Sequence, residues 1–336
     1  MKPFLKAVTL SSLFTILTSC SGDPLVQPAE PPGRRDYVWT VDTLQMGGNY
    51  PTLNRIWGSS PEDVYVIGEG LPSSNNIWHY DGKFWKPSNE GGFYGLYGLY
   101  GFAKNDIWLS SHDNIQHYNG ATWVKNTKLQ IDGFRVVVEN LWGISSKEMY
   151  AATLTEKNDY TRTFGALFKY DGNSWTRTTT VDYENMFFAN VRIDNIGTIL
   201  IHAIGVHNDL EKILIWNGER FNEILSTYDG SSLINIGDKV FFSNGAKVYS
   251  FMNGDFKLWQ DFTGTEFKSL LGARNERDVF AISKSGIGHF NGKDFETIYK
   301  TDYDVSFAAI FEKDIFVITL EGFNTKPVII IHGKLK

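Results

Sequence analysis

Short stretches in which apolar and polar positions alternate, each bounded by Gly, Asn or Asp, recur along residues 37–336. Alternation of this kind marks strands with one buried face, and the bounding residues are those that turn a chain. The stretches belong to a larger unit. Its clearest copy reads IWGSSPEDVYVIGEG over residues 56–70 and NNIWHYDGKFW over residues 75–85. Relatives include NDIWLSSHDNIQHYNGATW, ALFKYDGNSW, RDVFAISKSGIGHFNGKDF and, last, KDIFVITLEG with VIIIHGK. The turn glycines of the copies, Gly82, Gly120, Gly172, Gly218, Gly254, Gly292 and Gly333, are spaced 38, 52, 46, 36, 38 and 41 residues apart. That period suits one four-stranded propeller blade, and seven copies predict seven blades.

In each copy the second strand is predicted to open at Asp63, Asp106, Glu148, Thr198, Lys239, Asp278 or Asp314. The third ends, in most copies, on an aromatic residue followed by Asp or Asn and then Gly, as in Tyr80-Asp81-Gly82. Asp-Gly and Asn-Gly tolerate the positive φ angles of hairpin turns. Three residues beyond the glycine an aromatic returns, at Trp85, Trp123, Trp175, Phe221 and Phe295. At Gly254 it stands two residues beyond, at Phe256, which predicts a bulge or slipped register there. Only Lys334, Leu335 and Lys336 follow Gly333, so the seventh copy lacks a fourth strand. The run Tyr37-Val38-Trp39-Thr40-Val41 can supply it from the other end of the chain and leave no open sheet edge. The expected fold is all-β: a seven-bladed β-propeller over residues 36–336, closed by an N-terminal strand in the last blade.

Written as W-G-x-S-x-x-D-V-Y-x-x-G followed by I-x-H-Y-D-G-x-x-W, the repeat resembles that of many bacterial envelope lipoproteins. It is also similar to the Asp-box repeats of sialidase-like propellers, S-x-D-x-G-x-x-W. The Asp box keeps its aspartate two residues before glycine, whereas Asp81 and Asp171 directly precede theirs and most other copies have Asn.

The residues before the repeats predict an address. Residues 1–19 carry Lys2 and Lys6 ahead of an apolar stretch too short to span a bilayer and ending in small residues, as a secretion signal does. Leu17-Thr18-Ser19-Cys20 resembles the bacterial lipobox, which implies that Cys20 is diacylated and begins the mature protein. Cys20 is the chain's only cysteine, so no intramolecular disulfide can form. Residues 20–35, with Pro24, Pro28, Pro31 and Pro32, read as an extended tether. The expectation is a monomeric outer-membrane lipoprotein of the bacterial envelope, periplasmic or surface-facing, held to the membrane by its lipid.

Composition narrows the function classes. Aromatic residues make up 15% of the 336 residues and glycines number 32, which suits neither a disordered chain nor a helical bundle. Lys and Arg total 32 against 38 Asp and Glu, a net charge of −6 with no basic stripe, so nucleic acid is not an expected partner.

Candidate chemistry is sparse. His79, His117 and His289 hold one repeat position in three blades, which a ring keeps apart, so they read as structural; His112, His202, His207 and His332 form no ligand spacing. Asp302-Tyr303-Asp304 matches a D-x-D metal triplet, but the chain has no alternating strand-helix pattern to house one. A sialidase would need a cluster of arginines; Arg55, Arg135, Arg162, Arg192 and Arg274 are present, none in the motif that opens those enzymes. No catalytic residue, cofactor or metal is expected.

What remains is loop anatomy. Loops between second and third strands and between consecutive blades share one face of a propeller, and several are long here. They gather the candidate binding residues Tyr97, Tyr160, Arg162, Tyr183, Glu184, His207, Asp209, Tyr228, Asp229 and Asp304, with Tyr94 nearby. Exposed aromatics beside acidic groups suit a sugar-, peptide- or protein-binding surface. The sequence therefore predicts a non-enzymatic binding or scaffolding module for an envelope protein or glycan. The alternatives are a glycan hydrolase or lyase, and an outer-membrane assembly factor.

Overall fold

The computed structural model describes residues 32–44, 52–69, 76–88, 93, 95–319 and 328–336. The leader, Cys20, most of the tether and Tyr94 lie outside the described residues.

Seven antiparallel sheets hold the described chain, each built from four strands: six follow simple meander order, with one short additional strand in blade 3, and the seventh takes its outermost strand from the N-terminal side. Blade 1 shows the pattern: Thr52–Ser60, Asp63–Glu69, Ile77–Tyr80 and Trp85–Pro87, innermost to outermost. The inner strands of blades 2 to 7 are Leu96–Ala103, Phe134–Ser145, Met186–Ile193, Ser231–Ile236, Phe267–Asn275 and Val305–Ile310. Each touches the next, and the last touches the first, so the blades close into a ring. Closure is made by the N-terminal strand Tyr37–Leu44, which pairs antiparallel with Val328–Leu335 from Tyr37 opposite Leu335 to Leu44 opposite Val328.

Blade stacking explains the burial pattern. Second strands are packed on both faces, so Asp63–Glu69 and Asp314–Thr319 are buried along nearly their whole length instead of alternating. Among the described residues the buried apolar side chains fall into seven clusters, one at each blade interface. Phe164, Phe188, Phe241, Phe242, Phe280 and Phe316 are fully buried in them. Each such side chain contributes about 1.5–3 kcal/mol by leaving water, so most of the aromatic content is accounted for by architecture.

The recurrent turn works as an Asx turn. Asp81 Oδ1 accepts hydrogen bonds from the N–H groups of Lys83 (3.1 Å) and Phe84 (2.9 Å), and Asn119, Asp171, Asn217 and Asn291 repeat this in their blades. The aromatic that follows lies across from the one before the turn: Tyr80 and Trp85, Tyr118 and Trp123, and Tyr170 and Trp175 each have ring centroids 5.2 Å apart.

Three details differ from expectation. Blade 5 needs no bulge at its turn, because Asn253 (φ 54°) and Gly254 (φ 83°) form a two-residue hairpin with Met252 opposite Asp255. This restores Phe251 opposite Phe256. Gly333 is not a turn glycine: it lies inside the strand Val328–Leu335, opposite Trp39, and a Cβ there would stand 2.5 Å from the indole ring. His332, set aside as having no ligand spacing, occupies in blade 7 the position that His79, His117 and His289 occupy in theirs.

At that position the imidazole closes onto the carboxylate that opens the second strand. His79 Nε2 is 2.7 Å from Asp63, His117 2.8 Å from Asp106, His289 2.7 Å from Asp278, and His332 2.8 Å from Asp314. Each ring also packs on the aromatic two residues after the acid: Tyr65 (4.3 Å), Trp108 (4.3 Å), Phe280 (4.8 Å) or Phe316 (3.9 Å). Blade 3 substitutes Glu148 and Lys169, 2.8 Å apart, with the ammonium over Tyr150. The clasp thus satisfies a carboxylate at the rim of the core and covers an aromatic face in one contact.

Blade 6 has the most buried version. Burial opposes ionisation of Asp278, but the His289 hydrogen bond and the charge of Arg274 outweigh it and hold the carboxyl below its ordinary range. Burial likewise holds His289 below the ordinary imidazole value of 6.5, against the pull of Asp278. The unfolded histidine takes up a proton near pH 6.5 while the folded one resists, so stability falls as pH drops through that value toward the folded pKa. Asp278 adds a second loss as pH falls from 3.8 through its folded pKa. We predict that Asp278→Ala, which strands Arg274 and His289, costs about 3–5 kcal/mol, whereas Asp63→Ala at the more exposed clasp costs about 1 kcal/mol. Urea denaturation at pH 7 measures both, and the wild-type midpoint should fall between pH 7 and pH 5.

Candidate functional site

Tight turns and clasps occupy one face of the disc; the loops between second and third strands and between blades occupy the other. On this second face, blades 3 and 4 are built differently from the rest. The short strand Tyr183–Glu184 leaves the connection between them and pairs with the third strand of blade 3, placing Glu184 opposite Phe164 and Tyr183 opposite Gly165. Asn185, at φ 59°, donates its N–H to Thr163 O (2.8 Å) and accepts from Val206 N–H (3.1 Å). One backbone unit in a left-handed conformation thereby rivets the loop of blade 3 to that of blade 4.

Arg162 reinforces the same junction. Its guanidinium donates to Glu184 (Nε, 2.9 Å) and Asp182 (Nη2, 2.5 Å) and lies over the Phe164 and Phe134 rings. Arg177 shares Asp182. The hydrogen bond to Glu184 and the charges of both acids push the Arg162 pKa up, although burial opposes them. Tyr183 lies between Phe188 and Phe221, and its hydroxyl accepts from Lys212 Nζ at 3.5 Å. Arg162, Tyr183 and Glu184 are thus framework for the surface more than free contacts.

Two hollows open on this framework and adjoin at Asn208. One, about 360 Å³, is lined by residues that include Tyr183, Glu184, Met186 and Lys212; the other by residues that include His207, Asp209, Tyr228 and Gly230. Asn208 shapes the loop between them, its Oδ1 accepting from Leu210 N–H at 3.1 Å. Tyr160, at the tip of the blade 3 hairpin with φ 59°, is 74% exposed, and Tyr228 is 69% exposed. Asp229 is exposed beside Tyr228.

The structure therefore gathers Tyr160, Arg162, Tyr183, Glu184, His207, Asp209, Tyr228 and Asp229 around blades 3 and 4. It leaves two candidates out. Asp304 is exposed in the connection to blade 7, lining a separate hollow with Lys268, Lys284 and Lys300. Tyr97 sits in the inner strand of blade 2, edge-on to His112; burial, with Glu69 and Glu139 nearby, pushes its pKa up to about 12.

Sequence reasoning missed a polar cluster between blades 4 and 5. His202 Nε2 is 2.7 Å from Glu211 Oε2 and 3.1 Å from Ser231 Oγ, which also donates to the same Glu211 oxygen. The residue types match a nucleophile, a base and an acid, but their arrangement does not. A relay needs the imidazole between serine and carboxylate, using both ring nitrogens, whereas here one nitrogen faces both partners. The cluster fastens the two blades. Of the five arginines considered from sequence, Arg135, Arg162 and Arg274 are ion-paired to Glu156, Glu184 and Asp278, while Arg55 and Arg192 face the centre of the ring.

Known proteins of this architecture span binding and catalysis. YCF48 bound to a D1 peptide is similar over 91% of this chain and 100% of its own, with TM-score 0.61 and 13% identity. An oligogalacturonate lyase in complex with manganese is similar over 91% and 99%, with TM-score 0.62 and 10% identity. BBS1N in complex with ARL6DN is similar over 90% and 98%, with TM-score 0.57 and 9% identity. The shared feature is the propeller fold. No family model and no curated protein sequence matches the chain.

Removing the Arg162 clamp tests the framework. Arg162→Ala should speed amide exchange across the 157–163 hairpin while leaving the global melting temperature nearly unchanged, because the ion pairs are exposed. Unchanged exchange, measured by mass spectrometry, would show that the hairpin does not need the clamp.

Proposed function

We propose that the chain is a non-enzymatic binding module that docks a protein or peptide of the bacterial envelope on the long-loop face of blades 3 and 4. The observation that carries this reading is the pair of exposed tyrosines, Tyr160 and Tyr228, on a surface with two adjoining hollows and a built-in strap. A tyrosine offers large contact area with few rotatable bonds, and a framework already tied by backbone hydrogen bonds loses little entropy on binding. Asp209 and Asp229 give the rim an acidic character, which suits a partner segment carrying Lys or Arg. Propellers of the same fold are known in complex with a peptide, as in YCF48, and with a protein, as in BBS1N.

The lipobox-like Leu17-Thr18-Ser19-Cys20 supports an outer-membrane address, with the monomer held by its acylated cysteine. Two experiments test the reading. In cells, Cys20→Ser should move the protein from the membrane to the soluble fraction; retention in the membrane would refute the lipid anchor. In envelope crosslinking, a Tyr160→Ser, Tyr228→Ser double variant should lose the partner captured by the wild type while keeping its melting temperature, and undiminished capture would reject this docking face.

A further inference from the structure

The ring encloses a central cavity of about 430 Å³ to which all seven inner strands contribute. Its charge is the reverse of the molecule's. Arg55 and Arg192 line it and, among the described residues, no Asp or Glu does, in a chain of net charge −6. Neither arginine is in an ion pair among the described residues, unlike Arg135, Arg162, Arg177 and Arg274, which each hold a carboxylate.

Neutral groups position the two guanidinium groups. Arg55 donates to Asn54 O (Nη1, 2.6 Å) and Glu139 O (Nη2, 3.1 Å) and lies 4.3 Å over the Phe307 ring. Arg192 Nη1 donates to Asn140 Oδ1 (3.2 Å), Val191 O (2.7 Å) and Asn190 Oδ1, and its guanidinium lies 4.5 Å over Trp142. Nε of both residues and Nη2 of Arg192 meet no acceptor among the described residues, and none of these nitrogens is sealed from solvent. Burial lowers Arg55 to about 10 and Arg192 to about 9, the nearby charge of Arg55 adding to the effect on Arg192, so both remain cationic at neutral pH. Glu139, the carboxylate that acts on Arg55, lies outside the lining. Burial and the charge of Glu69 push its own pKa up, against the pull of Arg55.

Two like charges lining one cavity, with donors left over and no carboxylate ion-paired to either among the described residues, favour the arrival of an anion. The rest of the lining describes that anion. Asn140 and Ser269 bring an amide and a hydroxyl to the lining, while Tyr100 and Trp142 contribute aromatic surface. Guanidinium groups for a carboxylate, amides and hydroxyls for ring hydroxyls, and aromatic carbon for a C–H face are together the requirements of a sugar acid. We propose that the central cavity binds a uronate, either free or as the end of a uronate-containing chain, with its carboxylate held by Arg55 and Arg192. This site is inside the ring and is independent of partner docking on blades 3 and 4.

Isothermal titration of the full chain with galacturonate, glucuronate and digalacturonate, against neutral galactose and inorganic phosphate, tests it. At least one uronate should bind while galactose does not, and Arg55→Gln and Arg192→Gln should each weaken binding by about tenfold or more. Ser269→Trp, which fills the cavity and leaves both arginines in place, should abolish binding in a protein shown by circular dichroism to be folded. Absence of uronate binding to the wild type, equal binding of galactose, binding of phosphate that uronates do not displace, or full affinity in the folded Ser269→Trp variant would overturn the assignment. Loss of partner capture in the tyrosine double variant bears only on the docking face, so the two proposals fail separately.

Discussion

Everything in this molecule depends on the two ends of the chain meeting in one sheet. Each blade buries apolar surface only against its neighbours, so seven blades have seven interfaces only as a closed ring. The pairing of Tyr37–Leu44 with Val328–Leu335 completes blade 7 and with it the packing on both sides of that blade. Without it, the Val328–Leu335 edge would stand unpaired, exposing the backbone groups that template aggregation. The close approach of Trp39 to Gly333 fits this role, because only glycine lets the indole lie flat across the partner strand.

Closure also separates the duties of the two faces. On one, short turns recur and four blades carry nearly the same acid–imidazole clasp, where variation is costly because carboxylate, imidazole and aromatic ring depend on one another. On the other, loops carry little of the core and are free to lengthen, as they do in blades 3 and 4. The strap Tyr183–Glu184 shows how length is kept from becoming disorder: the added residues form a ladder with an existing strand instead of hanging in solvent.

The blade count was legible because its signals are local. An Asx turn needs Asp or Asn beside Gly, and a cross-strand aromatic pair needs a ring on either side, so both recur at readable intervals. Gly333 shows the limit of such reading, since a strand glycine beneath a tryptophan and a turn glycine are the same letter with different reasons. His332 was obscured because blade 7 draws its fourth strand from far away and has no turn to mark the position. The long loops were visible by length, and most of the candidate face followed from them. Arg55 and Arg192 were not, because they lie far apart in sequence and converge only once the ring brings the inner strands of blades 1 and 4 to a common centre.

The residues just before the first strand carry one more consequence. Gly33 donates its N–H to Arg277 O (3.0 Å), and Arg35 reaches His289 O (3.0 Å) and Asp294 (2.6 Å), all in blade 6 on the face of tight turns. The segment that precedes the closing strand is thus itself fastened to the neighbouring blade, so the N-terminal run ties blade 7 to blade 6 as well as completing its sheet.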